Sequence, residues 1–335
     1  MLNSPVKRII FMLLIVMVVC VVVIAWFTMM PRRSYTGDLK PMSQDEAKIR
    51  DDLKGYVTHL AETIGRRNVD YAYDGLKSAA GFIETTLRSQ GYDVHSYEFV
   101  VDGNPVRNLE VQIQGAKTAD KNLIVGAHYD AFGETPGADD NASGVAALLE
   151  LAGSLKNSKP DRTIRLVFFV NEEPPDFQTD KMGSLVYARQ LHDQKVNVTG
   201  MISLETIGYY SDVEGSQQYP AGMGILYPYT GNFIGFVGNI GSRSLVRRAI
   251  KAFRESADFP SEGVAAPSGL TGIGWSDQWA FWQQGYKAIM VTDTAPFRNH
   301  NYHQPSDTPE KLDYDRTARV VAGLQKTVLK LAEND

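Results

Sequence analysis

Several residue types that bind metal ions stand together in the stretch AHYDAFGETPGADDNASG, which covers residues 127–144. His128 ends the apolar run NLIVGAH, and Asp130 follows two positions later, so an extended chain points both side chains to one side. A carboxylate that faces the far nitrogen of an imidazole is the usual partner of a metal-bound histidine. Taken alone, however, this pair is more typical of a polar strand end.

Asp139, Asp140 and Asn141 come next, just before the helix-like run VAALLELA. Asp, Asn and Ser are common helix N-caps because their oxygens accept hydrogen bonds from the free amides of the first turn. One cap residue is enough, so three polar residues in a row indicate a role beyond helix capping. Carboxylates beside a histidine are suitable ligands for a hard or borderline cation.

Three glutamates follow or end later apolar runs. Glu172 and Glu173 come after TIRLVFFV and Asn171, where a solvated pair of charges is the simple alternative. Beside a cation, one of two neighbouring carboxylates can bind metal while the other accepts a proton. Glu205 lies among apolar neighbours in GMISLETIG, where an unpaired carboxylate is costly to bury. It therefore requires a cation or a hydrogen-bond donor.

The last candidates lie in the loop NHNYHQPSDTPEKLDY, which holds His300, Tyr302 and His303 before a final predicted helix. Asp307 and Thr308 in this loop are interpreted as turn or cap residues. Three further histidines occur in surface-like contexts and are interpreted as structural: His59, His95 and His192. In chain order the ligand types are His, Asp, Glu, Glu and His, enough for two zinc ions that share one carboxylate.

Alternating strands and helices must position these residues. The pattern predicts strands at residues 92–101, 106–115, 122–130, 163–170, 200–209 and 287–293. It predicts helices after a capping box at residues 43–46 and at residues 74–90, 143–155, 184–192, 244–255, 277–284 and 314–331. Such alternation indicates an α/β fold with a mixed, mainly parallel sheet, in which ligands bind beyond the carboxyl ends of the strands.

The N-terminal region has a different character. Residues 9–30 carry no charge, and 22 residues at 1.5 Å each span the roughly 30 Å of a bilayer core. A cleaved signal peptide has a shorter apolar run and a small-x-small site, which FTMMPRRS lacks. We therefore expect a tail at residues 1–8, a membrane anchor at 9–30, a tether at 31–42 and one catalytic domain at 43–335.

Charge and cysteine content limit the other assignments. Basic residues flank both ends of the apolar run, so the charge distribution does not decide its orientation in the membrane. A short N-terminal tail usually stays inside the cell, and this arrangement predicts a periplasmic or extracellular domain. The net charge of −5 and the lack of a basic patch in the sequence argue against nucleic acid as a partner. Cys20, the one cysteine, lies within the apolar run, which excludes a disulfide framework. Oligomeric state is not indicated.

The motifs AHYD, GADDNASG, NEEPP, GSLVYA, SLETIGYYSD and NYHQPSDTPEKLDY, in this order, resemble those of metallopeptidase family 28. This superfamily contains zinc aminopeptidases and glutaminyl cyclases, and the resemblance covers about residues 43–332. It implies a three-layer α/β/α fold and two zinc ions per chain. His128 and Glu205 would hold one ion, Glu173 and His303 the other, and Asp140 would bridge them.

The same resemblance implies further roles. Glu172 matches the general base, Asp130 the partner of the first histidine, and Tyr302 a tyrosine that steadies the oxyanion in some members. A cis peptide bond after the bridging aspartate would fall between Asp140 and residue 141. The sequence departs from the family in three places, none of which removes a ligand: Glu205 replaces a common Asp, and NEEPPDFQTDKMGS and WSDQ replace the usual motifs.

The function implied is peptide hydrolysis by a zinc-dependent exopeptidase with peptide substrates and an anchor in the lipid bilayer. An aminopeptidase is favoured because no arginine cluster for a terminal carboxylate is evident, although Arg243 and Arg298 could form one in space. A glutaminyl-peptide cyclase, which uses one zinc ion on this scaffold, is the first alternative. A catalytically inactive receptor or binding ectodomain and a structural cation site are the others.

Overall fold

The computed structural model describes residues 5–220 and 223–334. Residues 1–4, half of the predicted tail, lie outside the described part of the chain. The described residues comprise an N-terminal apolar helix and an α/β fold whose helices cover both faces of one sheet.

One sheet of eight strands runs through the described residues. The strands are β1 His95–Val101, β2 Asn104–Ile113, β3 Thr118–His128, β4 Arg162–Phe169, β5 Asn197–Glu205, β6 Ile234–Asn239, β7 Ser261–Ala266 and β8 Ala288–Thr292. Their order across the sheet is β1-β2-β4-β3-β5-β8-β6-β7. Strands β4, β3, β5 and β8 are parallel, β1 and β2 form an antiparallel hairpin, and β6 is antiparallel to β8. The predicted mixed, mainly parallel sheet is confirmed.

Helices form the two outer layers. They are α1 Pro5–Thr28, α2 Gln44–Thr58, α3 Tyr73–Ser89, α4 Gly144–Leu155, α5 Gly183–Asp193, α6 Arg243–Ser256, α7 Gln278–Gln283 and α8 Tyr314–Ala332. The core on one face contains residues of α2, α3, α4, α6 and α8, and the core on the other contains residues of α5 and α7. The capping box is present, since the Ser43 hydroxyl accepts the Glu46 N–H and the Glu46 carboxylate accepts the Ser43 N–H.

Sequence analysis did not predict β6 or β7. These strands read IGFVGN and SEGVAA, and their glycines and small residues have low β propensity. Their structure depends on neighbours, because β6 pairs with β8 through Phe236 opposite Val291, and β7 pairs with β6 along its whole length. Tertiary pairing thus overrides weak local preference.

The N-terminal helix differs in its bounds from the predicted anchor. Within the described residues the helix covers Pro5–Thr28, and the predicted anchor covers residues 9–30. Among the described residues, Arg8–Thr28 is the one helix long and apolar enough to cross a membrane, and its apolar window is wholly unburied in protein. The tether that follows contacts the domain: the Ser34 hydroxyl accepts the Ser261 N–H at 2.9 Å.

Leu148 tests the packing of α4, the helix that follows the acidic turn. It is fully buried, so Leu148→Ala should lower the free energy of unfolding by about 2–5 kcal/mol through loss of contacts and a residual cavity. Thermal or urea denaturation of the full chain in detergent measures the loss. Leu226→Ala, at a residue that is 47% exposed, is the control and should change stability by less than about 0.5 kcal/mol. Equal losses would contradict this packing.

Candidate metal centre

Parallel strands bring the predicted site residues to one edge of the sheet. His128 is the last residue of β3, Glu205 is the last residue of β5, and Glu172 and Glu173 follow β4. Because these strands are parallel neighbours, their carboxyl ends lie side by side. His303 reaches the same edge from the loop between β8 and α8.

The Asp140 carboxylate lies between two imidazoles. Its Oδ1 is 3.3 Å from His128 Nε2, and its Oδ2 is 3.0 Å from His303 Nε2. Glu205 Oε2 lies 3.3 Å from the same nitrogen of His128, and Glu173 Oε2 lies 3.2 Å from that of His303. The side chains therefore form two donor groups that share Asp140, and the donor atoms of each group lie within 4.8 Å of one another.

Both donor groups fit a zinc ion. The two nitrogens of His128, Nε2 of His303 and Oε1 of Glu173 are buried without a hydrogen-bond partner among the described residues. Two ligands at about 2.0–2.1 Å from a tetrahedral zinc ion lie about 3.3 Å apart. The measured separations of 3.0–3.3 Å agree with that value. Each group offers one nitrogen and two carboxylates, which leaves a coordination position for water or substrate.

The charges of the site favour bound cations. Burial raises the pKa of Glu205 and Glu172, and it raises the pKa of Glu173 to about 8. Burial alone would lower the pKa of His303, but the nearby carboxylates of Asp140 and Glu173 outweigh burial and raise the pKa to about 10. Ionised carboxylates are therefore costly here and the imidazoles retain protons. A bound cation reverses both tendencies.

Asp130 connects the ends of β3 and β4. Its carboxylate accepts hydrogen bonds from the N–H groups of Glu172, at 3.2 Å, and Glu173, at 3.0 Å. Its Oδ1 also lies 3.5 Å from His128 Nδ1. Sequence analysis expected only the approach to His128. The one carboxylate orients both the imidazole and the segment that carries the paired glutamates.

The turn before α4 explains the three consecutive polar residues. Asp139 accepts the N–H of Gly208, and the Asn141 side chain accepts the N–H of Thr206. These two side chains tie the turn to the segment around the end of β5, while Asp140 is directed at the imidazoles. The peptide bond between Asp140 and Asn141 is cis, as the family resemblance implied.

Asp307 holds the same turn from the opposite side. Its Oδ1 accepts the Asp139 N–H at 2.9 Å, and its Oδ2 accepts the Asp140 N–H at 3.1 Å. Sequence analysis assigned Asp307 to a local turn or cap, whereas its side chain bonds a segment more than 160 residues earlier. The residues around Asp307 carry no signal for this contact, because it forms only when the loop folds over the sheet edge.

Aromatic rings hold the His303 imidazole. Phe132 stacks on it with ring centroids 4.0 Å apart, and Tyr302 stacks at 3.9 Å, both with nearly parallel planes. Phe132 lies within the acid-rich stretch, where sequence analysis gave it no role. His300 is exposed and belongs to neither donor group. The three histidines interpreted as structural also lie outside both groups.

The motif WSDQ departs from the family pattern, and its sequence predicted no role for its residues. In the structure the Ser276 hydroxyl donates a hydrogen bond to Glu205 Oε2 at 2.6 Å. Asp277 is fully buried, and its carboxylate oxygens lack a hydrogen-bond partner among the described residues. The motif therefore supports the Glu205 side of the centre.

An apolar pocket opens beside Glu205 and Tyr302. Its empty volume, open to solvent, is about 790 Å³. The walls include Met223, Tyr227, Phe233, Ile273, Trp275 and Phe297. Among the described lining residues the charged ones are Glu205 and Glu262, and none is lysine or arginine. The pocket suits an apolar group that carries no negative charge.

Comparison with known proteins identifies the family. The model of Peptidase family M28 matches residues 108–328. Uncharacterized protein YfbL of Escherichia coli (strain K12) is 40% identical over 284 residues, which cover 82% of this chain and 86% of that protein. Fungal relatives described as probable zinc metalloproteases or vacuolar membrane proteases are 26–32% identical, and the chain spans only 16–52% of their length.

Solved structures agree with this family. BSAP, a zinc aminopeptidase from Bacillus subtilis, superposes with a TM-score of 0.69 at 14% identity, over 85% of this chain and 95% of that chain. A glutaminyl cyclase from Fimbriiglobus ruber superposes with a TM-score of 0.62 at 20% identity, over 89% and 99%. At these identities the likeness concerns the fold. The chain belongs to Peptidase family M28, a family of zinc-dependent peptidases, and the predicted three-layer fold is confirmed.

Asp307→Asn tests the clamp on the acidic turn. The amide offers one acceptor oxygen to two backbone N–H groups, so the free energy of unfolding should fall by about 1–3 kcal/mol. Chemical denaturation followed by fluorescence measures the change. Asp193→Asn is the matched control, because that side chain is 83% exposed. A loss no larger than the control's would show that the clamp contributes nothing.

Proposed function

We propose that this chain is a membrane-anchored, zinc-dependent aminopeptidase that removes N-terminal residues from peptides. The observation that carries the proposal is the pair of donor groups sharing the Asp140 carboxylate. Two metal ions that share a carboxylate can clamp the attacking and leaving groups of a hydrolysis. A cyclase on this scaffold uses one zinc ion and needs no shared ligand.

In this proposal each donor group holds one zinc ion. His128 and Glu205 would hold the first, Glu173 and His303 would hold the second, and both would share Asp140. Zinc supplies a Lewis acid for the peptide carbonyl and lowers the pKa of water. Glu205, where many family members have Asp, keeps its oxygen 3.3 Å from His128 Nε2, so the longer side chain preserves the approach.

Glu172 is the proposed general base. It is buried and belongs to neither donor group, and its Oε2 lies 3.8 Å from His128 Nε2. Burial raises its pKa, which makes the carboxylate a better proton acceptor. Glu172 accepts a proton from the attacking water and passes it to the leaving amine. Tyr302, which lines the pocket beside Glu205, donates a hydrogen bond to the carbonyl oxygen as it becomes negative.

Charge around the pocket supports action at the amino terminus. A substrate carboxylate needs a cationic partner, but the charged residues described in the pocket wall are glutamates. Arg298 is buried and donates hydrogen bonds to Gln217 Oε1 and to the Phe233 carbonyl. Arg243 donates to the Trp26 carbonyl. Neither of the two arginines that could have formed a carboxylate site lines the pocket.

The proposed membrane anchor is helix α1. We propose that it spans the membrane once, that residues 31–42 connect it to a catalytic domain at 43–335, and that residues 1–8 lie on the cytoplasmic side. The domain then faces the periplasm or the exterior. The vacuolar membrane proteases among the fungal relatives support a membrane location, but they match over 40% of this chain.

The alternatives differ in measurable properties. A glutaminyl-peptide cyclase would bind one zinc ion and release ammonia from peptides that begin with glutamine. A binding ectodomain would turn over neither substrate. The presence of Glu172 next to both donor groups supports catalysis, because a binding role needs no buried base.

Glu172→Gln tests the proposed base. The amide cannot accept the proton, so kcat should fall on the order of 10²- to 10⁴-fold. Hydrolysis of aminoacyl-nitroanilides gives kcat, and mass spectrometry of the purified chain should give an unchanged zinc content. Glu134→Gln, at a side chain that is 76% exposed, is the control and should retain full activity. Undiminished turnover by Glu172→Gln would exclude Glu172 as the base.

Zinc binding to the metal-free protein should be linked to proton release. At pH 7 both His303, with a pKa of about 10, and Glu173, with a pKa of about 8, carry protons that coordination displaces. The pKa of His128 is also raised, so at least two protons per chain are expected. Titration calorimetry in buffers of different ionisation enthalpy measures them, with saturation at two zinc ions. One zinc ion together with cyclisation of glutamine peptides would instead support the cyclase.

A further inference from the structure

The end of the anchor packs along α6. Arg243, the first residue of α6, donates to the Trp26 carbonyl at 2.7 Å, and its guanidinium lies 4.2 Å from the Trp26 ring centroid. Further along α6, Arg247 bonds the Met29 carbonyl and Arg254 bonds the carbonyl of Arg32. Residues 26–32 thus run beside α6 in the same direction, which gives the anchor a defined place on the domain.

This packing determines at which edge of the sheet, the start or the end of the parallel strands, the anchor is attached. α6 begins just after β6, and β6 runs antiparallel to β8. The first turn of α6 therefore lies at the edge where β8, β5, β3 and β4 begin, whereas the metal centre lies where β3 and β5 end. The nine residues of β5, at about 3.3 Å each, separate the two edges by about 30 Å.

With α1 spanning the membrane as proposed above, its last turn reaches the depth of the lipid headgroups. Arg8–Thr28 contains 21 residues, which at 1.5 Å each span about 31 Å, the thickness of the hydrocarbon core. Trp26 lies in the final turn, and tryptophan favours the membrane interface. Arg243 beside it lies at the same depth, so the edge where the parallel strands begin faces the bilayer surface.

That edge carries positive charge, although the whole chain has a net charge of −5. We call it the basic edge and define it by Lys121, Lys159, Lys195, Lys287, Arg243 and Arg247, which lie at strand starts or in the first turns of α6.

Acidic residues at the same edge are fewer. Asp93, Asp120 and Asp193 are exposed there, whereas Asp161 is paired with Lys117 at 3.0 Å and Glu333 with Lys330 at 2.6 Å. The edge therefore has an excess of positive charge.

We propose that the basic edge binds the headgroups of anionic phospholipids and thereby holds the metal centre away from the membrane. The anchor brings the edge to the headgroups, and each lysine near an anionic surface strengthens the contact about fivefold. The opening of the apolar pocket then faces the aqueous phase. Peptides reach the site from solution rather than from the bilayer.

The test uses the full chain in nanodiscs of phosphatidylcholine alone or with one quarter phosphatidylglycerol. After Cys20→Ser removes the native thiol, a fluorophore is attached at Asn197→Cys, two residues after Lys195 of the basic edge, or at Ser306→Cys, in the loop that carries His303. Both native residues are exposed. Lipids with a nitroxide in the headgroup should quench the label at position 197 at least about fivefold more than that at 306, and phosphatidylglycerol should increase the difference.

A charge variant tests the lysines themselves. Lys121, Lys159 and Lys195 are replaced with Gln. In phosphatidylglycerol discs this change should lower the ratio of membrane-bound to unbound basic edge on the order of 100-fold. The matched control replaces three exposed lysines elsewhere and should leave quenching unchanged: Lys54, Lys77 and Lys311. Salt at 0.5 M should reproduce the loss without any substitution, which keeps the test valid if the variant folds poorly.

Three results would overturn the proposal. Stronger quenching at position 306 than at 197 would place the metal centre against the bilayer. Equal quenching at 197 with and without phosphatidylglycerol would exclude binding of anionic headgroups. An equal effect of the control substitutions would show that net charge, and not the basic edge, determines the orientation.

Discussion

The Asp140 carboxylate, shared between two imidazoles from distant parts of the chain, is the contact on which the site depends. Its two oxygens face His128 and His303 separately, so neither imidazole can move without losing its part of the carboxylate. Burial of several acids around it is costly unless cations balance their charge. This cost explains why the turn is fixed from three directions, through Asp139, Asn141 and Asp307.

Parallel strands make this arrangement geometrically simple. Strands β3, β4 and β5 end at the same edge, so the candidate site residues at their ends share a common volume. The helix layers bury the remainder of each strand. Asp130 adds a direct connection between two of these ends, because it accepts hydrogen bonds from the segment after β4 while its carboxylate approaches His128. The sheet therefore positions the side chains of the centre, and hydrogen bonds such as those of Asp130 fix the loops beside it.

Strands β6 and β7 extend the sheet beyond β8, and residues of other segments pack on both of their faces. On one face Val237 and Val264 line the apolar pocket. On the other, Ile250 of α6 and Met30 of the anchor pack close to Gly263, where a larger side chain would collide with them. The same extension thus lines the apolar pocket on one face and contacts the segment after the N-terminal apolar helix on the other.

Sequence alone determined the fold class, most of the helices and strands, the apolar helix and the family, because periodicity, capping residues and ordered motifs are local signals. It also named the side chains that meet at the sheet edge. The roles assigned to them stay predictions, and the metal count is one of these.

Tertiary structure decided what local signals cannot encode. Strands β6 and β7 form only through pairing with β8 and with each other, since their own residues favour strands weakly. The contacts of Asp307 and Phe132, and the place of the tether along α6, join segments that are far apart in the chain. Such contacts leave no pattern in either partner's neighbourhood, because they exist only once the sheet has brought the two segments together.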